Sequence, residues 1–332
     1  MFKNATLYRI APEWSADLQD VEDRLGANRF IECGATQPQS MGWIEPRGHK
    51  NGLLVESIDG HWMLKLMIEK KVLPGTVVKR KIDEHAKRIE QETGRKPGKK
   101  MTKEIKEAAI LELLPMAFTK QSSIVVWIDM ETRLLVVDAG SQSRADEVVT
   151  ALVKALDGLA VSLVQTQTSA QVSMSEWLAS SEAPAGFSVD RECELESGDE
   201  NKAVVKYARH MLDIEEVRQH ITAGKVPTKL AMTWDDRISF VLTESGVIKK
   251  LSFLDVVFEG ASSSKSRDDD PFDANAAIAT GEMSRMIPDL IEALGGEMPA
   301  FGQQAPKAEA PSAPVVAASE ASASAATEVA RP

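Results

Sequence analysis

The chain has few cysteines, few aromatic residues and no long apolar run. Its 332 residues include two cysteines, Cys33 and Cys193, and no CxxC motif or Cys/His cluster. This argues against a disulfide framework or a structural zinc site and predicts a reducing environment. No apolar stretch approaches the roughly 18 residues of a membrane span. Residues 1–5 lack the basic-then-apolar order of a secretory signal. We therefore expect a cytoplasmic protein with no membrane partner.

The chain also lacks an excess of positive charge. Lys and Arg number 39 against 50 for Asp and Glu, which gives a net charge of -11. Taken as a total, this charge argues against a polyanion-binding protein. However, residues 79–106 hold eleven basic and five acidic residues and carry +6, so the remainder carries −17. Acidic residues are concentrated at 190–200 and 268–270. The basic segment is therefore a candidate binding surface.

The basic segment is predicted to fold as a helical hairpin. The apolar positions of its first helix recur at helical spacing and are Val78, Ile82, Ala86 and Ile89. Lys81, Lys87 and Arg88 lie off this stripe and are predicted to face outward. The glycines and proline of 94–98 predict a turn, after which Thr102 is the predicted N-cap of a second helix. The apolar positions of this second helix, which ends before Pro115, are Ile105, Ala109 and Leu113. Both a solvated helix face and a binding surface are open interpretations.

Strand and helix patterns alternate irregularly in the rest of the chain. Strands or hairpins are predicted at 2–10, 52–68, 124–139, 161–165, 202–212 and 226–253. Helices are predicted after Ser15, Ser143, Ser173 and Asp213, and a last helix over 272–294 is expected to be interrupted by Gly281 and Pro288. This order predicts an α+β fold of antiparallel sheets and meanders with packed helices and a protruding basic hairpin, and it argues against a doubly wound sheet.

The same patterns predict four regions. Residues 1–73 together with 115–170 form an N-terminal α+β region, into which 74–114 is inserted as the basic hairpin. Residues 171–296 form a C-terminal α+β region. Residues 297–332 are rich in Ala, Pro and Ser and are predicted to be a disordered tail.

Catalytic motifs are weak throughout the sequence. The stretch 94–100 resembles a P-loop but has three residues between its glycines, and Lys100 stands where the hydroxyl residue should be. GxGxxG, GxSxG and HExxH are absent, and the five histidines are interpreted as structural or surface residues. Asp129, Asp138 and 268–270 are the best candidates for a carboxylate-bound metal, but their spacing does not exceed that of ordinary strand ends and loops. We expect no catalytic residue, no metal and no cofactor.

Many short sequence pieces along residues 1–297 carry a family resemblance. In the first half these pieces are Phe2-Lys3-Asn4, Tyr8-Arg9, Met41-Gly42-Trp43, Leu73-Pro74, Leu113-Leu114-Pro115 with Ala117-Phe118, and Trp127-Ile128-Asp129. In the second half they include Glu176-Trp177, Gly186-Phe187, Thr228-Lys229-Leu230-Ala231, Thr280-Gly281-Glu282 and Leu294-Gly295-Gly296-Glu297. Together and in this order, they resemble the bacterial recombination-associated RdgC family. No single piece is a catalytic signature, and nothing is carried over to the tail.

The resemblance implies a non-enzymatic, nucleoid-associated DNA-binding protein. Such a protein forms a ring-like homodimer around duplex DNA without sequence preference, binds single strands more weakly, restrains RecA-driven recombination and takes part in replication fork repair. Phe118 corresponds to an aromatic residue that the family uses at a dimer contact, although a core position is equally compatible with the sequence.

Phosphate contacts are therefore predicted for the basic residues of the hairpin and for a few others nearby. The hairpin set is Lys79, Arg80, Lys81, Lys87, Arg88, Arg95, Lys96, Lys99, Lys100, Lys103 and Lys106. Weaker candidates are Lys120, Lys225, Lys229, Arg237, Lys249 and Lys250, the last two predicted on opposite faces of a strand. Two alternatives stay open: a metal-dependent nuclease of DNA repair, and a protein-interaction module that uses the acidic segments.

Overall fold

The first half of the chain forms an antiparallel sheet of seven strands. These are β1 (Thr6–Ile10), β2 (Gln39–Ile44), β3 (Val55–Ile58), β4 (His61–Val72), β5 (Phe118–Asp129), β6 (Leu134–Val137) and β7 (Val161–Leu163). The strand order is β2-β4-β5-β6-β1-β7, and β3 also pairs with β4. A tight turn at Asp59 and Gly60, both with positive φ, joins β3 to β4, as the sequence predicts. The longest pairing joins β4 to β5 and runs from His61 opposite Asp129 to Val72 opposite Phe118.

The second half forms a separate antiparallel sheet of five strands. These are β8 (Phe187–Ser197), β9 (Val204–Ala208), β10 (Lys225–Trp234), β11 (Ile238–Thr243) and β12 (Ile248–Phe253), in the order β12-β11-β10-β8-β9. The predicted meander over 226–253 is present as β10 to β12. The two sheets meet where Ala5 and Ile248 exchange backbone hydrogen bonds of 2.9 and 3.0 Å.

The computed structural model describes residues 2–259 and 271–301, and within them eight α-helices accompany the sheets. The helices are α1 (Leu18–Gly26), α2 (Gly75–Thr93), α3 (Lys99–Leu113), α4 (Gln142–Ala155), α5 (Ala170–Ser180), α6 (Glu215–Thr222), α7 (Asp255–Glu259) and α8 (Pro271–Ala293). A short 3-10 turn at Leu114–Met116 follows α3. In the described ranges no helix is long and apolar enough to cross a membrane. The predicted α+β class is confirmed.

Two apolar cores hold the layers together. The core between the two sheets includes Leu7, Met63 and Trp127 from the first sheet, Leu230 and Leu242 from the second, and Met283 and Leu290 from α8. The other core lies on the opposite face of the first sheet, beneath α1 and α4, and includes Val21, Trp43, Leu66 and Val148. The first sheet is therefore buried on both faces. The second sheet turns Leu230 and Leu242 inward, while Ala231 and Val241 lie on its other face, outside both cores.

Helix α8 departs from the sequence prediction. It runs without interruption through Gly281 and Pro288, which were expected to break it. Proline costs about 3 kcal/mol inside a helix. Here that cost is offset by tertiary packing, because the residues around it are buried: Met283, Met286, Ile287, Leu290 and Ile291.

Other boundaries also differ from the sequence prediction. The sequence patterns predict no helix or strand for the acidic segment 190–200, yet most of it lies in β8, with Cys193 and Leu195 in the core and Glu192, Glu194 and Glu196 on the other face. The predicted strand over 202–212 is shorter, at Val204–Ala208. Glu297 contacts the first sheet, since its carboxylate accepts hydrogen bonds of 2.6 to 3.0 Å from Arg9. Residues 302–332 of the predicted tail lie outside the described residues.

Candidate nucleic-acid interface

Helices α2 and α3 form a two-helix arm that projects from the end of the β4–β5 ribbon. The arm leaves the sheet after Val72 and returns at Phe118, the last residue pair of that ribbon. No residue of α2 is buried, whereas Ile105 and Ala109 of α3 are. The 19 residues of α2 correspond to a length of about 28 Å. The predicted helical hairpin is therefore present, and its outer surfaces are open to solvent.

Local sequence explains the bend at the tip of the arm. Gly94 ends α2 in the left-handed conformation, with φ 68°, and its N–H donates to the Glu90 carbonyl at 2.8 Å. The extended backbone of Gly98 then starts α3 at Lys99. The prediction that Thr102 caps α3 is wrong: it lies inside the first turn, where its hydroxyl donates to the Gly98 carbonyl at 3.0 Å. Gly98 takes the extended N-cap conformation without a side-chain cap, so α3 begins at Lys99, three residues before Thr102.

The tip of the arm is strongly positive. Five exposed basic residues surround the bend, and the first turn of α3 has no acidic residue and no side-chain cap. The positive end of the helix dipole adds to their charge. The tip residues are Arg95, Lys96, Lys99, Lys100 and Lys103. Nearer the base, further basic residues are exposed along the arm, namely Lys79, Arg80, Lys87, Arg88 and Lys106.

Lys81 does not face outward as predicted. Its ammonium lies 2.6 Å from the Glu112 carboxylate, across the α2–α3 contact. His85 Nε2 lies 2.9 Å from the other Glu112 oxygen. Lys81 holds the pKa of the Glu112 carboxyl below its usual value, with a further contribution from His85. Position 81 lies at the edge of the apolar stripe of α2, close to α3. Lys81 therefore links the two helices of the arm through its ion pair with Glu112.

Three of the weaker candidates on the second sheet already have hydrogen-bond or ion-pair partners. Lys229 donates to both Glu194 oxygens at 3.0 Å, and Lys225 Nζ lies 3.1 Å from His220 Nδ1. Arg237 makes two hydrogen bonds of 2.7 Å to the buried Glu282. Lys120, by contrast, is exposed on β5, two residues after Phe118. Among these residues Lys120 extends the arm surface, and the others stabilise the sheet.

The prediction that Lys249 and Lys250 lie on opposite faces is wrong. Ile248 and Leu251 both enter the core, and Lys249 lies opposite Val241 on the other face. A register shift in the β11–β12 pairing and a φ of 51° at Lys250 mark a bulge that inserts an extra residue. Because the bulge breaks the alternation of the strand, both lysines lie on the face away from the core.

Comparison with known proteins decides the family. The sequence model of the family described as "Putative exonuclease, RdgC" matches residues 1–297. The chain is 45% identical to the recombination-associated protein RdgC of Dechloromonas aromatica over 300 residues, which cover 90% of this chain and 98% of that protein. It is 45% identical to the protein of the same name from Herminiimonas arsenicoxydans and 46% identical to that of Cupriavidus necator, each over 296 residues, 89% of this chain and 98% of the relative.

The chain belongs to the RdgC family. The resemblance predicted over residues 1–297 is confirmed. The names of the three relatives associate those proteins with recombination, while the family description mentions an exonuclease.

Phe118, which the RdgC resemblance places at a dimer contact, is 87% exposed. The alternative that it is a core residue is therefore wrong. Three other apolar side chains near the base of the arm are also exposed, namely Val72, Leu111 and Met116. Val72 lies directly opposite Phe118 in the β4–β5 pairing, and we call these four exposed apolar residues the base patch. Exposed apolar clusters of this kind are typical of protein interaction sites.

The carboxylates considered for an RdgC-family nuclease have structural partners. Asp129 accepts hydrogen bonds from the backbone of Glu131 and Thr132 and from the Thr132 hydroxyl, which closes the β5–β6 turn. Asp138 accepts from the backbone of Lys3 and Asn4. Residues 268–270 lie outside the described residues. Within 2–259 and 271–301, no three His, Cys, Asp or Glu side chains are arranged as a metal site.

Proposed function

We propose that this RdgC-family protein is a non-catalytic DNA-binding protein that acts in recombination. It binds the phosphate backbone of duplex DNA through the arm, without sequence preference. The observation that carries the proposal is the concentration of exposed basic side chains along the arm, which reaches its maximum at the uncapped start of α3. Each Lys or Arg placed against a phosphate releases a counterion and reads no base.

The composition of the arm favours duplex over single-stranded DNA. Residues 75–113 contain no Phe, Tyr or Trp. Single-strand binders gain about 1–3 kcal/mol per base by stacking bases on aromatic side chains, which this surface cannot offer. Long flexible cations on exposed helices instead suit a regular, densely charged backbone. We therefore expect single strands to bind more weakly than duplex.

The functional unit of the proposal is a homodimer. The base patch leaves Phe118 almost fully exposed at the point where the arm joins the sheet. A second copy meeting this patch would bury it and bring two arms to the same DNA, so that the two chains enclose the duplex. A duplex occupied in this way is withdrawn from RecA, which would limit recombination and protect replication forks in the nucleoid.

Direct binding measurements test the proposal. Anisotropy of labelled duplexes of unrelated sequence should give similar affinities that fall steeply between about 50 and 200 mM salt. Single strands should bind more weakly, and light scattering should give the mass of two chains. Strong sequence preference, or a shallow dependence on salt, would contradict backbone binding through the arm.

The family description makes a nuclease the second candidate function. Incubation of end-labelled duplex and single strands with the protein and Mg²⁺ or Mn²⁺ distinguishes the two functions. Release of nucleotides that depends on the divalent cation would establish the nuclease. The third alternative, an acidic interaction module, has less support, because Glu194 is neutralised by Lys206 and Lys229, and Glu192 by Lys250.

A further inference from the structure

The open face of the second sheet carries a shallow depression of about 470 Å³. Its floor is made of the small side chains of Ala231, Ser239 and Val241 on β10 and β11. Its charged lining residues are Asp190, Arg191 and Glu192 on β8, Arg209 after β9 and Lys250 on β12. None of its lining residues belongs to the arm, so this surface differs from the one already described.

The backbone is irregular on both sides of this depression. In the β8–β10 pairing, Cys193 lies opposite Leu230 and Val189 opposite Met232, so three residues of β8 lie opposite Ala231 alone. On the other side, the bulge at Lys250 places an extra residue opposite Phe240. Lys250 and Arg209 both have positive φ, 51° and 57°. Bulges redirect side chains, and non-glycine residues in this conformation cluster at functional sites.

The charges of this face do not cancel. Within the described residues, Glu192 lies 2.5 Å from Lys250, Glu194 binds Lys206 and Lys229, and Glu196 lies 3.6 Å from Lys202. Asp190 keeps its negative charge and accepts a hydrogen bond from the Thr233 hydroxyl at 2.9 Å. Within the described part of the chain, Arg191, Arg209 and Lys249 have no ion pair. Arg191 and Arg209 both line the depression, and their backbones are close, since the His210 N–H donates to the Arg191 carbonyl at 3.1 Å.

We propose that this depression, rimmed by Arg191 and Arg209, is a second contact for the phosphate backbone of DNA. Two neighbouring guanidiniums without carboxylate partners match phosphate oxygens, which they can bind through paired N–H groups. The small floor residues let a backbone approach the sheet closely, and the floor has no aromatic side chain exposed for stacking a base. The inference rests on the proposed function and adds a contact on the second sheet to that of the arm.

The test compares an Arg191→Gln/Arg209→Gln variant with a Lys50→Gln/Lys154→Gln control. Lys50 and Lys154 are exposed, and no ion pair involves either of them in the ranges 2–259 and 271–301. Both variants remove two positive charges without adding negative ones. Loss of two phosphate contacts should lower the slope of log K against log salt by about 1.8, which corresponds to a roughly 60-fold weaker affinity at about 0.1 M salt. The control should keep the slope of the unaltered protein.

An Arg191→Lys/Arg209→Lys variant guards against a purely structural effect. It keeps both charges and should recover most of the slope, whereas a damaged fold would affect both double variants alike. If Arg191→Gln/Arg209→Gln binds DNA as tightly as Lys50→Gln/Lys154→Gln does, while substitutions in the arm abolish binding, the second contact is refuted and the proposed function stands. If the unaltered protein fails to bind duplex DNA even at low salt, both are refuted.

Discussion

Charge reversal at the tip of the arm is the sharpest test of the DNA interface. The variant Lys99→Glu/Lys100→Glu/Lys103→Glu changes three exposed side chains in the first turns of α3. Loss of three phosphate contacts lowers the salt slope by about 2.7, or roughly 500-fold in affinity at about 0.1 M salt. Repulsion between the new carboxylates and the phosphates weakens binding further, so the variant should show no measurable complex at that salt concentration.

The fold should tolerate this change. Lys103 forms only a solvent-exposed contact of 4.0 Å with Glu107, and contacts of this kind contribute at most about 1 kcal/mol. Acidic residues in the first turn of α3 interact favourably with the helix dipole, by about 0.3–1 kcal/mol each. Circular dichroism and thermal unfolding should therefore match those of the unaltered protein.

A matched control separates local contacts from total charge. Lys3→Glu/Lys50→Glu/Lys154→Glu makes the same change in net charge at exposed positions outside the arm. Anisotropy titrations of all three proteins on one labelled duplex, from about 50 to 200 mM salt, provide the comparison. An arm variant that keeps both the affinity and the salt slope of the control would refute the assignment of the site.

Three further predictions concern other parts of the molecule. Phe118→Ala should halve the mass measured by light scattering and change unfolding by less than about 0.5 kcal/mol, whereas Ile31→Ala, at another exposed apolar residue, should leave the mass unchanged. Arg237→Ala should cost about 1–3 kcal/mol in urea unfolding, because it removes two hydrogen bonds to the buried Glu282, which keeps its ion pair with Arg285, while the salt slope of DNA binding stays constant. Lys206 and Lys229 lower the pKa of Glu194 to about 2. The ionised Glu194 carboxylate therefore stabilises the folded protein fully above pH 4.5, and this stabilisation is lost as the pH falls towards 2. The stability difference between Glu194→Gln and the unaltered protein, about 1–2 kcal/mol at neutral pH, should therefore vanish over that range.

The arm could be predicted from sequence because its determinants are local. The apolar stripe from Val78 to Ile89 and the glycines at 94 and 98 lie within a few turns of one another, so periodicity and turn chemistry suffice. The inward position of Lys81 could not be predicted in this way. It depends on Glu112, which lies 31 residues further along the sequence and is brought close only when the two helices pack.

The second sheet was harder to predict because its features depend on distant partners. Acidic residues dominate β8, and its inward positions Cys193 and Leu195 become recognisable only beside β9 and β10. The bulge that turns Lys249 and Lys250 to one face arises from the pairing register of β12 with β11. The alternation of residues within one strand does not reveal this register. The depression between Arg191 and Arg209 was missed for the same reason. A useful signal in the sequence would have been Arg191 itself, a basic residue inside an acidic run.

The location of the negative charge makes the proposed binding of a polyanion compatible with a net charge of -11. Electrostatic fields decay over about 10 Å at 0.1 M salt, whereas α2 alone is about 28 Å long. The tip of the arm is therefore largely screened from the acidic body and presents its own positive charge to DNA. On the second sheet the separation is achieved by pairing, since lysines neutralise Glu192 and Glu194 and leave Arg191 and Arg209 in excess. Elsewhere the unpaired acidic residues disfavour contact with phosphates, so the proposed function restricts DNA to the surfaces where basic side chains are in excess.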